Sequence, residues 1–457
     1  MRYRMKNTFV IFDTEDWGNI QSSLFTPDGN ENAGVLLCGI SESDKTHRFL
    51  VRYFLPVEPG HYRDRSEYHL EVSPAFYNAV IDRCLKEKLV PILIHSHPHH
   101  KGAWFSASDD FGERRLLNVF RALVPPGLQA SLVVTPTAVA GRTLVNEGFV
   151  SLTGLVIVGR RCQVLSFSPS VKRDASERHD RQLRAFGKEG QHLLESLKIG
   201  IVGFGGIGSL VGEQLARAGA RDFTLVDHDE VEASNLSRLF GASEKSIGIP
   251  KVEIGRQHLT ELGATEVKAI HDSAIKQSVL FQLRDRHIIF SCVDNDRTRA
   301  FLNRLAYQYL IPTIELGVRI DARAGQVKAA AGRAALVGSG LTCLRCSGHL
   351  NAERIRAESL PKKEREELAK EGYVMGVDEP APAVVSLNTV IAGLGVTAAL
   401  NLFVNLTGAL QPVEQLYDAT SGEVFTVTAT HEPGCDICDG KKGIKALGDL
   451  QRLSAYD

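Results

Sequence analysis

The 457-residue sequence predicts an α/β protein in two parts: a C-terminal Rossmann-like parallel-sheet domain over residues 177–457 and an N-terminal α+β domain over residues 1–170. Three observations carry that prediction. The stretch LKIGIVGFGGIGSLVGEQLARAGARDFTLVDHDEV runs strand, Gly-rich turn, helix, strand, a βαβ unit that needs a parallel sheet. Upstream, the β-branched and aromatic runs LVRYFLP, LVPILIHSH, ASLVVTP and LTGLVIVG alternate with turn residues and a few helical patterns. Between the two, SFSPSVKRDASERHD mixes Ser, Pro and charge, the composition of an interdomain connection.

Composition bounds the function. A chain that is 43% hydrophobic and 23% charged can bury large cores. Lys+Arg 53 against Asp+Glu 54 leaves a net charge of -1, without the basic footprint that nonspecific nucleic-acid binding needs, so no nucleic-acid partner is expected. The start, MRYRMKNTFVIFDTEDWG, breaks its apolar run with Asp13, Glu15 and Asp16 and lacks the core of a secretory signal. Residues 384–406 are apolar but carry Ser386, Asn388, Thr389, Thr397, Asn401 and Asn405, which predicts a buried helix and no membrane association. Eight cysteines, four of them in two Cys-x-x-Cys pairs, point to metal rather than disulfides. A cytoplasmic location is expected.

In LVPILIHSHPHHKGAWFSASDD an apolar strand runs into His95 and His97, whose i, i+2 spacing turns both rings to one face. Asp109 follows on a loop and completes a His, His, carboxylate set with the fourth tetrahedral position open, as catalytic zinc requires. His99 and His100 read as solvent-facing. A carboxylate is still needed to move protons. Glu31, in Glu-x-x-Gly, is the candidate, and Glu58, Glu67 and Glu71 are other carboxylates of the same half. The set Glu31-Asn-Ala-Gly34, His95-Ser-His97-Pro98 and Ser106-Ala-Ser-Asp109 resembles the JAMM (MPN-type) zinc isopeptidases. That resemblance implies His95, His97 and Asp109 as zinc ligands, Glu31 as general acid/base and Ser106 as the hydroxyl supporting the oxyanion. Seven residues separate Pro98 from Ser106 where the family pattern has six, which leaves Asp110 or Ser108 open as the partners.

In the second half, Gly203, Gly205, Gly206 and Gly208 follow a strand and open a helix, so the backbone can approach a phosphate. Asp227 ends the next strand, at a ribose-binding distance that NAD enzymes share with adenylate-forming ones. Asn235, Arg238 and Lys251 then add the polar and cationic clamp that pyrophosphate displacement needs and hydride transfer does not. Asp294, after a further strand, is suited to hold Mg²⁺ against the phosphates. From about Glu177 onward the chain resembles the ThiF and ubiquitin-activating-enzyme adenylyltransferases. The matching pieces are Arg178-His-Asp-Arg181-Gln182-Leu, GFGGIG, Asp227-His-Asp229, Ser234-Asn235-Leu-Ser-Arg238, Gly248-Ile-Pro-Lys251 and Val293-Asp294-Asn295. The resemblance implies that Asp227 binds ribose, that Asn235, Arg238 and Lys251 bind phosphates, and that Asp294 coordinates magnesium. It also implies that Arg181 reaches the nucleotide of a partner subunit, hence a homodimer.

Cys343-Leu-Arg-Cys346 and Cys435-Asp-Ile-Cys438 supply four thiolates for a structural zinc. No cysteine occupies residues 347–383, where a thioester-forming enzyme would place its nucleophile. Cys38, Cys84, Cys162 and Cys292 read as packing residues.

The functional expectation is ATP-dependent adenylation of the C-terminal glycine of a ubiquitin-like protein, coupled to zinc-dependent isopeptidase processing or deconjugation of the same modifier. A conjugating-enzyme-like acceptor is a further expected partner. Alternatives are activation of a sulfur carrier for thiocarboxylate formation, a metal-free N-terminal docking module and, least, a nicotinamide dehydrogenase.

Overall fold

The computed structural model describes residues 6–146, 148–167, 177–323, 325–361, 363–365, 367 and 382–449. Residues 168–176, the expected connection, lie outside them. The N-terminal half builds a nine-stranded sheet with strand order, by first residue, Gln163, Gly154, Asn7, Thr46, Ala33, Val90, Ala130, Val139, Gly148. Parallel pairs (Asn7–Asp13 with Gly154–Val158 and with Thr46–Pro56, Val90–Ser96 with Ala130–Val134) are mixed among antiparallel ones. VPILIHS is buried along its whole length because it sits inside the sheet with helices over the faces, so its apolar run does not alternate. Ser73 caps the helix Pro74–Glu87, with Pro at the first helical position. Ser106 and Asp109 form a reciprocal capping box at the start of helix Ala107–Leu123.

The C-terminal half builds an eight-stranded sheet, by first residue Glu266, Asp222, Lys198, Ile288, Thr313, Gln326, Glu414, Glu423. The first five strands are parallel, as the βαβ pattern requires, and the last three pair antiparallel. From Lys198–Val202 the chain winds outward to Asp222–Asp227 and Glu266–His271, then returns to Ile288–Ser291 on the other side. That reversal opens a crevice at the carboxyl ends of the strands. Among the described residues Val385–Val404 is the one helix long and apolar enough to cross a membrane. Its Asn388, Ile391, Ala392 and Leu402 are buried, because it packs on helix Gly206–Ala218 and on the strands Thr313–Arg323 and Gln326–Val337.

The two sheets share a continuous apolar boundary. Ile11, Leu50, Val156 and Val158 pack into the C-terminal core, while Tyr307, Val337 and Leu344 pack into the N-terminal one. A strap from Cys435 to Asp449 fastens that boundary. Gly39 is obligatory beneath it, since a Cβ there would lie 2.1 Å from the Ala446 carbonyl oxygen. Arg52 donates to the carbonyls of Lys445 at 2.5 Å and Gly443 at 3.2 Å, and Asp449 N–H donates to the Ile40 carbonyl at 2.6 Å. Lys445 Nζ lies 2.5 Å from Asp13 and 2.7 Å from Asp16.

Candidate functional site

Three constellations stand out, one in each sheet and one at the start of the strap. In the N-terminal sheet Ala33 pairs with His95, which brings the Glu31 segment beside the histidine strand. His95 Nε2 lies 3.2 Å from His97 Nε2 and 3.3 Å from Asp109 Oδ1, and His97 Nε2 lies 3.6 Å from Asp109 Oδ2. Nitrogen and oxygen ligands about 2.05 Å from a tetrahedral zinc stand about 3.4 Å apart, so this donor set fits the ion. Both rings are buried. Burial opposes a charge on His95, but the hydrogen bond and charge of Asp109 outweigh it and hold the ring above its ordinary value. Burial and the neighbouring His95 push His97 down to about 4. Burial opposes the Asp109 charge too, yet His95 and Ser106 hold that carboxyl well below the usual carboxylate range.

Of the alternatives the sequence left open, Asp110 is turned away to pair with Arg142, so Asp109 is the carboxylate beside the histidines. Glu31 Oε1 lies 3.6 Å from His97 Nε2, and burial, with Asp109 adding to it, pushes its carboxyl up to about 7. Glu58, Glu67 and Glu71 are exposed, Glu67 standing 3.8 Å from His99 and Glu71 paired to Arg63. Ser106 is engaged locally: its hydroxyl donates to Asp109 Oδ2 at 2.8 Å and accepts from the Asp109 N–H at 3.1 Å. Trp104 stands edge-on to His97 and His100 at the mouth.

At the crevice of the C-terminal sheet, Gly203 has φ +86° and packs under the Cys292 carbonyl, and a Cβ on Gly208 would lie 2.0 Å from the Gly203 oxygen. Both glycines close the strand onto the helix. Gly205, by contrast, would bring a Cβ within 4 Å of nothing among the described residues, which leaves room for an anion at the helix N-terminus. Asp227 Oδ2 accepts the Phe204 N–H at 2.7 Å and its Oδ1 accepts the Asp229 N–H at 2.9 Å. Burial raises its carboxyl despite those bonds. Lys251 Nζ is held 2.7 Å from Asp229, and Asn235 Oδ1 accepts the Glu232 N–H. Arg238 donates to the Ser234 carbonyl while its stem lies on Gly206. Asp294 is exposed, just past the strand Ile288–Ser291, an oxygen donor of the kind Mg²⁺ takes. A cleft of about 720 Å³ lined by His228, Asp229, Val231, Gly248, Lys251 and His271 adjoins this ledge. Arg181 is exposed on helix Asp180–Ser196.

At the start of the strap Cys435 and Cys438 meet Cys343 and Cys346 from outside it: Cys343 and Cys435 sulfurs are 3.8 Å apart, Cys346 and Cys438 3.7 Å. Zinc–sulfur bonds of about 2.3 Å give tetrahedral edges of about 3.75 Å, so a zinc fits here as well. Cys343 is lowered to about 5, chiefly by the hydrogen bond from Cys438.

Residues 179–437 match the family model described as the ThiF family, more than half of the chain. The chain belongs to the ThiF family. This ThiF-family chain is 28% identical over 268 residues to molybdopterin-synthase adenylyltransferase of Escherichia coli K12, covering 57% of the chain and 95% of that enzyme. It is 26% identical over 283 residues to the adenylyltransferase and sulfurtransferase MOCS3-1 of Drosophila pseudoobscura pseudoobscura, 61% of the chain and 57% of that protein. Among solved structures, E. coli MccB superposes with a TM-score of 0.47 at 19% identity, covering 58% of this chain and 74% of that one.

Three contributors at these sites escaped sequence reasoning. Asn388, from a helix far along the chain, places its amide within 2.4 Å of where a Gly206 Cβ would stand. Arg299 donates to the Val293 carbonyl and pairs with the fully buried Glu315, which also binds Arg333, so the backbone leading into Asp294 is braced. The arginine five residues after Asp294 in DNDRTR was the only signal in the sequence. Glu113 lies behind His95, its Oε1 3.7 Å from the Nδ1 of that ring.

Proposed function

We propose that this chain adenylates the C-terminal carboxylate of a small carrier protein of the sulfur-carrier or ubiquitin-like type. The carboxylate oxygen attacks the α-phosphorus of ATP, the bond to the bridging oxygen breaks, and pyrophosphate leaves. Arg238 and Lys251 neutralise charge on the departing oxygens, Asn235 and the N–H groups after Gly205 hold the phosphates, and Asp227 faces the ribose. Mg²⁺, when bound at Asp294, supplies charge neutralisation across the phosphates. Arg181 reaches the nucleotide of a second copy in a homodimer.

The observation that carries the acceptor side is the state of the cysteines. Four of the eight converge at the start of the strap, and burial pushes the thiols of Cys38, Cys84, Cys162 and Cys292 upward. A raised thiol is a poor nucleophile at neutral pH. The adenylate is therefore handed to an external thiol or sulfur donor, which favours a sulfur carrier ending as a thiocarboxylate, in keeping with the names of the relatives. The test is ATP–pyrophosphate exchange with a glycine-terminated carrier, followed by mass spectrometry of the carrier. Exchange ending in a thiocarboxylate is expected; a stable thioester on this chain would overturn the acceptor assignment, and absent exchange the activity.

For the N-terminal half we propose a zinc hydrolase that cleaves the bond after the same carrier's terminal glycine. The geometry of His95, His97 and Asp109, with Glu31 beside them, favours it. Zinc, when bound, supplies a Lewis acid and lowers the pKa of a bound water. Glu31 is placed to accept a proton and return it to the leaving amine, and the Ser106 hydroxyl would serve a developing oxyanion only by turning its one proton away from Asp109 Oδ2. Two zincs per chain by elemental analysis support this reading; one, held by the cysteines, leaves a docking module.

A further inference from the structure

We infer that Glu113 is the positioning residue of the N-terminal metal site: its carboxylate accepts the Nδ1 proton of His95 and so fixes the tautomer that turns Nε2 toward the metal. This rests on the proposal that His95, His97 and Asp109 hold zinc. Glu113 follows Asp109 by one helical turn on Ala107–Leu123, so the two carboxylates share a face. They flank the same imidazole. Asp109 stands at its Nε2, 3.3 Å away, and Glu113 Oε1 stands at its Nδ1, 3.7 Å away.

The two oxygens of Glu113 differ. Oε2 is saturated, accepting from Ser131 Oγ at 2.7 Å and from Arg142 Nε and Nη2 at 3.0 and 2.7 Å. Oε1 is buried without a hydrogen-bond partner among the described residues. A buried carboxylate oxygen left without a donor is costly, and the ring nitrogen of His95 is the donor it faces. The carboxylate is also fixed in place, because the Arg142 guanidinium is sandwiched between the rings of Phe105 at 3.8 Å and Phe149 at 3.7 Å. An imidazole that binds metal through Nε2 must carry its proton on Nδ1, and a carboxylate there holds the ring and raises its basicity. Closing the 3.7 Å separation to hydrogen-bond distance would take a shift of the ring of about 0.7 Å. His97 has no such support: its Nδ1 is buried without a partner among the described residues.

The test measures zinc affinity of the N-terminal site by chelator competition in the full chain, for the parent, Glu113→Gln and Ser131→Ala. Glu113→Gln weakens that site about 10–100-fold while the cysteine-bound zinc stays as in the parent, and the melting temperature falls because buried Arg142 loses its carboxylate. Ser131→Ala, which removes a donor from Oε2 only, stays within about threefold of the parent, by the same reasoning. A parent that binds two zincs and a Glu113→Gln variant of equal affinity overturn this inference alone. A parent holding only the cysteine-bound ion overturns the metal reading and this inference with it. Should Glu113→Gln fail to fold, histidine-selective nitrogen NMR of the zinc-loaded parent decides. His95 protonated at Nδ1 with a strongly hydrogen-bonded proton is expected, and protonation at Nε2 overturns the inference.

Discussion

The N-terminal and C-terminal sites are organised in opposite ways. Around His95 and His97 the donors are buried and already stand at the edge lengths of a tetrahedral ion. Around the glycine turn the groups are spread over an open ledge: Asp294 is exposed, a Cβ on Gly205 would meet nothing within 4 Å among the described residues and Lys251 is held by Asp229. A metal of fixed bond length rewards donors that are set before it arrives. A flexible triphosphate brings its own charge to the cations and needs mainly room.

The largest effect is expected where one side chain has a task nothing else shares. Glu31→Gln should lower cleavage of a carrier fusion about 10²–10⁴-fold while zinc content stays unchanged, read by gel assay and elemental analysis. On the ledge, Asp294→Ala should cut ATP–pyrophosphate exchange about 10²–10³-fold without moving the melting temperature, because the side chain is exposed. Undiminished exchange in that variant would break the comparison at its nucleotide end.

Lys445→Met asks whether the two sites ride on one body. It leaves Asp13 and Asp16 without their cation and should cost about 3–5 kcal/mol in denaturant melts. Acid should restore part of that loss. With Lys445 in place burial already pushes Asp16 up to about 6, and removing the cation that lowers it pushes it further up, so the folded chain binds this proton more tightly than the unfolded one. The contribution is full below about pH 4 and is lost as pH rises through about 6 in the parent, higher in the variant. Gly205→Ala should be the mildest: an unchanged melt, since its Cβ meets nothing within 4 Å among the described residues, and a KM for ATP raised about tenfold, or ~1.4 kcal/mol.

Each half was legible in the sequence where one short segment holds a whole unit of chemistry. The strand VPILIHS and the βαβ unit around GFGGIG stand where local pattern puts them, whereas Asp109, expected on a loop, lies in the first turn of helix Ala107–Leu123, where its carboxylate closes a capping box with Ser106. Local pattern could not show pairings between distant segments. Asn388 reaches Gly206 only because a long apolar helix packs on the glycine helix. Glu113 meets His95 only once helix and strand cross, and periodicity alone gives it the same standing as any charged helix residue. The final three strands fold back antiparallel, which the βαβ rule says nothing about. The interdomain boundary was the least visible, since several of its polar bonds run from the side chains of Arg48 and Arg52 to backbone carbonyls, which carry no sequence signature.

The clasp between Gly39 and Ala446 sets an order of events during synthesis. Glu42 and the Asp449 that caps it are separated by 407 positions, so the early strand leaves the ribosome long before its cover exists. Until then the groove above Gly39 stays bare and open to wrong partners. The second cysteine pair, a few residues before the clasp, leaves the ribosome just ahead of it, so a metal held there would be bound before the molecule can shut.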